Sequence, residues 1–280
     1  MTESTRQHAL APEHIGRCFA LSRAAGWNQN EADWRLMLTL GHGWGLSAPD
    51  GTLVASTLVL PYGRFAWISM VLVLPAHRRK GHASRLLRVA LADLRERGLL
   101  PVLDATPAGR EVYRQEGFHD TWTFKRFYLK QVPEKGVRTL FSKKGPDPFF
   151  RWDRLLPLDA EAFGADREVL LRDLQRRLPA AALALGESGF VLGRDGREAR
   201  QLGPLVARDE ATALALLQSG LAAVQPPVYV DIVDHAPRLQ EWVQARGFAF
   251  QRPFTRMVHG LAAAPGNERL VYCVAGPELG

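Results

Sequence analysis

Around residue 80 an apolar stretch runs into a basic, glycine-containing turn. It reads Val71-Leu72-Val73-Leu74-Pro75, then Arg78-Arg79-Lys80-Gly81-His82-Ala83, with a helical pattern opening at Ala83. In such a turn successive backbone N–H groups point into one space, and the helix N-terminus adds partial positive charge. Arg78, Arg79 and Lys80 raise that field, and Gly81 allows a backbone conformation or a close approach that a side chain hinders. The ligand this suits is a pyrophosphate. The same residues also read as an ordinary basic helix start on the surface. No H-x-x-x-H or H-E-x-x-H pattern marks a metal site, no nucleophile elbow surrounds a serine, and His82 reads as exposed.

The elements that must position this turn follow from hydrophobic period and turn chemistry. Pro12 to Ala25 and Asn28 to Leu40 carry helical spacing, broken at Gly26. Trp44 to Ser47, the turn Pro49-Asp50-Gly51, and Leu53 to Leu60 read as a hairpin. Phe65 to Val73 is apolar almost throughout, as a strand buried on both faces should be. Then come a helix from Ala83 to Arg97 ended by Gly98, a strand from Pro101 to Asp104, a helix from Pro107 to Glu116 and a strand from Phe118 to Leu129.

Gln131 to Pro148 lacks either period and is rich in proline, glycine and lysine, which predicts a linker between domains 1–130 and 149–280. Beyond it the order repeats: a helix from Arg167 to Leu178, short strands at Leu183 to Leu185 and Phe190 to Leu192, an Asp195-Gly196 turn, and a strand from Leu202 to Ala207. A helix from Asp209 to Leu221, a strand from Val228 to Val233, a helix from Pro237 to Arg246 and a strand from Phe248 to Val258 complete it. Gly117-Phe118 through Phe124-Lys125-Arg126-Phe127 aligns without gaps on Gly247-Phe248 through Phe254-Thr255-Arg256-Met257. Val102-Leu103-Asp104 likewise resembles Tyr229-Val230-Asp231. Two copies of one mixed α/β unit fit this better than a single large domain.

Composition narrows the class. The 280 residues suit two medium domains, and 46% hydrophobic content supplies cores for both. No apolar run reaches the roughly 18–20 residues of a membrane span. The polar start, Met1 to Glu13, reads as a ragged terminus rather than a signal peptide. Two distant cysteines, Cys18 and Cys273, fit a reducing cytoplasm and no structural metal. The net charge of +7 comes from arginines spread through helices, without a nucleic-acid-binding signature.

The order of elements and two motifs resemble the GNAT superfamily of N-acetyltransferases over Trp27 to Leu129. The cofactor motif of that family (Arg or Gln, two residues, Gly, one residue, Gly or Ala) is met by Arg78, Gly81 and Ala83. Its downstream pattern N-x-x-A-x-x-x-Y-x-x-x-G-F is met at Tyr113, Gly117 and Phe118, with Thr106 in place of Asn and Gly109 in place of Ala. The resemblance implies acetyl-CoA as acyl donor, a primary amine as acceptor and direct attack of the amine on the thioester. It implies that the backbone of Met70, Val71, Leu72 and Val73 pairs with the pantetheine arm, with Thr106 near it. The amides of Arg79, Lys80, Gly81, His82 and Ala83 would hold the pyrophosphate, and Tyr113 would protonate the leaving thiolate. Tyr113 as a packing residue is the competing reading. Asp104 is the best carboxylate for a general base, and capping the turn Ala105-Thr106-Pro107 is the alternative. Trp27, Glu31 and Trp67 fall where the family holds its acceptor, although Trp27, Trp34, Trp44 and Trp67 equally read as core.

The second half lacks these features. Val206-Ala207-Arg208-Asp209-Glu210-Ala211-Thr212 stands at the place of the phosphate turn, with two carboxylates and no glycine, and the later helix has Gln244 and Ala245 near the tyrosine position. The chain thus resembles tandem proteins in which a working GNAT domain precedes a degenerate one. Asp231 and Glu278 read as surface or capping groups, or as members of a shared cleft. An acetyl-CoA-binding sensor without catalysis is the alternative function, and monomer and homodimer both remain open.

Overall fold

The computed structural model describes residues 4–131, 150–260 and 262–280. In chain order the elements are β1 (Arg6–Ala9), α1 (Ile15–Ala24), α2 (Glu31–Leu40), β2 (His42–Ser47), β3 (Leu53–Tyr62), β4 (Phe65–Val73), α3 (His82–Glu96), β5 (Leu100–Ala105), α4 (Pro107–Gln115) and β6 (Phe118–Leu129). The second half adds α5 (Trp152–Phe163), α6 (Glu168–Arg177), β7 (Leu183–Ala184), β8 (Gly189–Arg194), β9 (Arg200–Ala207), α7 (Glu210–Ala223), β10 (Val228–Val233), α8 (Pro237–Gln244), β11 (Ala249–His259) and β12 (Val271–Cys273). The expected mixed α/β architecture is present. The expected linker, 131–148, lies outside the described residues except for Gln131. No described helix is long and apolar enough to cross a membrane.

Three elements depart from the sequence reading. The polar start contains β1, whose backbone pairs antiparallel with β2 from Arg6↔Ser47 to Ala9↔Trp44. Its side chains show no apolar alternation, and it joins the sheet edge through backbone pairing together with a 2.9 Å hydrogen bond between His8 Nε2 and Ser47 Oγ. Helix α5 runs through Pro157 and buries Leu155, Leu158, Ala162 and Phe163, a helical stripe that the proline obscured. Strand β12 is only three residues long.

The chain divides into two units. The first contains residues 4–120 and the segment beginning at Arg256. Its strands run β1-β2-β3-β4-β5, followed by the end of β11. Helix α3 covers one face, where Leu87, Ala90 and Leu94 pack with Val59, Ile68, Leu103, Ala105, Phe118 and Met257. Ser69 follows Ile68 and so points to the other face, where it approaches Met37 of α2 at 3.9 Å. There the Trp34 indole, fully buried, donates to Ser22 Oγ at 2.9 Å. The second unit holds 121–131, most of the second half and the order β11-β6-β10-β12-β9-β8-β7.

Each unit is therefore built from both halves of the sequence. Most of β6, from the first half, pairs antiparallel with β10, from Val228↔Leu129 to Val233↔Phe124. The end of β11, from the second half, is the neighbour of β5 in the first unit. The two Gly-Phe strands that align in sequence have exchanged places.

Candidate active site

The site in the first unit begins with a break in β4. Leu58 pairs with Ser69 and Ser56 with Leu72, so Thr57 faces both Met70 and Val71. This is a β-bulge, and Met70 sits at φ 51°, a left-handed conformation unusual for a side-chain-bearing residue. Ser56 Oγ donates to the Met70 carbonyl at 2.8 Å and helps hold it. On the other edge, β4 and β5 pair in parallel only at Phe65↔Leu100, Ala66↔Pro101 and Trp67↔Val102. Past Trp67 the ladder stops, which leaves the edge from Ile68 to Val73 outside it. An extended chain with amides of its own could add there through backbone hydrogen bonds. Met70 to Val73 lie on this edge.

Beyond β4 a short 3-10 turn, Pro75–His77, leads into the basic segment. Arg78 is extended, and its Nε donates to the Val73 carbonyl at 3.3 Å, tying the turn to the strand end. Arg79 at φ 60° and Gly81 at φ 80° are both left-handed. Such alternation turns successive N–H groups toward one side and forms a concavity for an anion. Gly81 is the N-cap of α3 and has no side chain of its own with which to cap that helix. A Cβ on Gly81 would meet nothing within 4 Å, so glycine is required there for its φ rather than for space. Arg78, Arg79 and Lys80 are exposed. His82 is not: it is buried, with 6% of its surface accessible, because a first-turn side chain folds back against the preceding segment. Its ring lies 6.5 Å from that of His77, and Ala83 beside it is half-buried.

Helix α4 places the tyrosine. Thr106 is its N-cap, accepting from Gly109 N at 3.2 Å. A Cβ at Gly109 would fall 2.9 Å from Tyr113 Cε2, 3.5 Å from Cζ and 3.4 Å from Thr106 Oγ1. The Tyr113 ring therefore lies back over the first turn, with its phenol end toward the helix start. The space that an alanine methyl would take is used by the ring. Tyr113 also packs against the α3-side core, and burial pushes its phenol up to about 12. Packing and a proton-bearing hydroxyl coexist in one side chain.

Asp104 is paired with an arginine, while the cap of α4 is Thr106. Both of its carboxylate oxygens accept from Arg256, Nε and Nη2 each at 2.9 Å, and its side chain has no exposed surface. Asp104 thus stands in a buried, doubly hydrogen-bonded ion pair with Arg256. Trp67 is fully buried, with the Arg256 guanidinium 4.4 Å from its ring centroid, which is the core position that the sequence also allowed. Trp27, on the connection into α2, is half-buried, and Glu31, the first residue of α2, is exposed. There Asn30 and Asp33 form a reciprocal cap with bonds of 2.9 and 3.1 Å. Sequence reasoning missed Arg256. The signal was its alignment with Arg126 in the repeated strand.

The second unit offers the same frame with its openings filled. Asp209 caps α7, accepting from Thr212 N at 2.8 Å, and the Thr212 N–H and hydroxyl hold its carboxyl below the usual range. Glu210 accepts from Arg238 N at 3.2 Å. Strands β9 and β10 pair in parallel at Val228↔Arg200, Tyr229↔Gln201 and Val230↔Leu202. Past that point β12 enters between them, pairing Val271↔Val206 and Cys273↔Leu205 on one side and Ile232↔Cys273 on the other. Val274 N continues this ladder to the Asp231 carbonyl at 3.1 Å. Asp231 and Glu278 are neither surface groups nor caps. Asp231 is buried against Arg126 at 2.7 and 2.6 Å and Gln201 at 2.6 Å, and Glu278 against Arg194.

Residues 13–118 match the acetyltransferase (GNAT) family, and residues 155–273 match an acetyltransferase (GNAT) domain. The chain belongs to the GNAT acetyltransferases, with two such domains in tandem. Among solved structures it is similar to a candidate acetyltransferase from Pyrococcus horikoshii, at 21% identity and a TM-score of 0.80, over 99% of this chain and 96% of that one. It is similar to a GCN5-related N-acetyltransferase from Sphaerobacter thermophilus, at 16% identity and 0.63, over 93% and 98%. A tandem GNAT protein from the clavulanic acid biosynthesis pathway, at 16% and 0.59, is covered over 100% of its length by 94% of this chain. These likenesses are of fold. None of the curated proteins matches the sequence.

Proposed function

We propose that the first unit transfers an acetyl group from acetyl-CoA to a primary amine by direct attack, and that the second unit binds no cofactor. The observation that carries this is the continuity of the parted edge of β4 with the left-handed turn at Arg79 and Gly81. A pantetheine arm fits the first and a pyrophosphate the second. Positive charge from Arg78, Arg79 and Lys80 favours the phosphates.

In this reading the neutral amine nitrogen attacks the thioester carbon, the C–S bond breaks, and the amide forms. One proton leaves the nitrogen and one reaches the sulfur. Tyr113 supplies the proton to sulfur. A phenol near 12 facing a thiolate of ordinary basicity, about 8.5, makes a complete transfer uphill by roughly 5 kcal/mol. Tyr113 then acts mainly by donating a hydrogen bond to sulfur as charge builds there, with the proton moving late. Water carries the amine proton away, since Asp104 is engaged by Arg256. The setting this suits is the cytoplasm.

Thiol release from acetyl-CoA with a panel of primary amines tests the proposal. Amine-dependent release supports it. Tight acetyl-CoA binding with no release from any amine would favour a sensor instead.

A further inference from the structure

We infer that Arg256, from the second half of the sequence, is a positioning residue for the first unit's cleft, bracing β4 against β5 where the two strands part. This rests on the reading of that cleft as the acetyl-CoA site. Trp67 is the last β4 residue in the parallel ladder, paired with Val102, and Asp104 stands two residues further along β5. The Arg256 guanidinium lies 4.4 Å from the Trp67 ring centroid and gives two hydrogen bonds of 2.9 Å to Asp104. One planar side chain thus touches both strands just past their last hydrogen-bonded pair, at the root of the opening. It is itself held there, because the segment of β11 that begins at Arg256 belongs to the first unit and β11 neighbours β5.

The geometry uses what distinguishes arginine from lysine, a fork that matches a carboxylate and a flat face that stacks on an aromatic ring. All three side chains are nearly or fully buried, so solvent screens the pair little. The repeat supplies an internal comparison. Arg126 aligns with Arg256 and Asp231 with Asp104, and they too are paired, beside a gap that β12 closes. The arginine–aspartate pair is common to both units, but Arg126 stacks on Tyr229 of β10, and it is Gln201 that reaches Asp231 from β9.

If Arg256 sets the width of the opening, its loss should disturb the part of the ligand lying between the strands. The phosphate turn is shaped by the backbone of Arg79 and Gly81 and should not respond. Two probes separate these effects by calorimetry on the full chain: acetyl-CoA, and 3′-phosphoadenosine 5′-diphosphate, which is the nucleotide end alone. In Arg256→Lys and Arg256→Gln the affinity for acetyl-CoA is expected to fall about tenfold or more, as misplacement of a binding element does, while nucleotide affinity stays within about twofold. Should Arg256→Gln fail to fold because it strands the Asp104 charge, the neutral pair Asp104→Asn with Arg256→Gln removes that charge as well. It is expected to fold and to show the same selective loss. Unchanged acetyl-CoA affinity in either folded variant, or equal weakening of both probes, would overturn the positioning role. Failure of the wild-type chain to bind either probe would instead remove the cofactor reading beneath it.

Discussion

Arg126 and Asp231, 105 positions apart in the sequence, form a buried ion pair through two hydrogen bonds of 2.7 and 2.6 Å. It mirrors Asp104 and Arg256, 152 positions apart and bonded twice at 2.9 Å. In each pair the aspartate of one sequence repeat takes the arginine of the other. The exchange of β6 and β11 makes this possible, and it ties the two halves of the chain into each unit.

A buried pair of this kind is costly to break, because the remaining charge has no water to return to. Asp231→Ala strands both Arg126 and the Gln201 amide, and is expected to destabilise the second unit by about 3–5 kcal/mol. Denaturant unfolding measures it. A loss below about 1 kcal/mol, the range of an exposed pair, would contradict the geometry.

Gly81 acts through its backbone. With open space around its missing Cβ but φ at 80°, a β-branched residue is strained without clashing. Gly81→Val is expected to weaken acetyl-CoA binding by about tenfold or more, since strain of 1–3 kcal/mol falls on the bound conformation. Gly81→Asn, which tolerates the left-handed region, should retain most of the affinity. Equal loss in both variants would point to space, not conformation.

Tyr113→Phe keeps the ring that fills the space over Gly109 and removes only the hydroxyl. Turnover is expected to fall by about 10- to 1,000-fold with acetyl-CoA affinity nearly unchanged. An acid must hold its proton to act, and burial raises this phenol to about 12. Ionisation of Tyr113 therefore imposes no fall in rate below about pH 11. A rate equal to wild type in the folded variant would leave Tyr113 as packing alone.

Much of this was legible in the sequence where local chemistry decides the outcome. Phe65–Val73, Phe118–Leu129 and Val228–Val233 have the bounds the sequence predicts: the first and third are mostly apolar runs, and the second is rich in aromatic and β-branched residues after the Gly117 turn. The need for a glycine at the start of α3 was legible too, and Gly81 takes the left-handed conformation there. The strand exchange did not, and the reason is physical. Gly117-Phe118 and Gly247-Phe248 begin strands so alike that either satisfies either neighbour, and nothing local says which partner is taken. The pairing of Arg256 with Asp104 and of Arg126 with Asp231 was hidden by the same degeneracy. Strand β12 was hidden by its length, three residues that gain their place from two neighbouring strand edges rather than from a pattern of their own.

In the proposed function one unit is open to acetyl-CoA and the other is closed by its own chain. The first has a glycine at its helix start and a parted strand edge. In the second, Asp209 occupies the helix N–H groups and β12 lies in the gap between β9 and β10. Calorimetric titration of the full chain with acetyl-CoA tests this most directly. The account expects one site per chain, abolished by Arg79→Glu together with Gly81→Val. Two equivalent sites per chain, or binding that survives that double substitution, would contradict it.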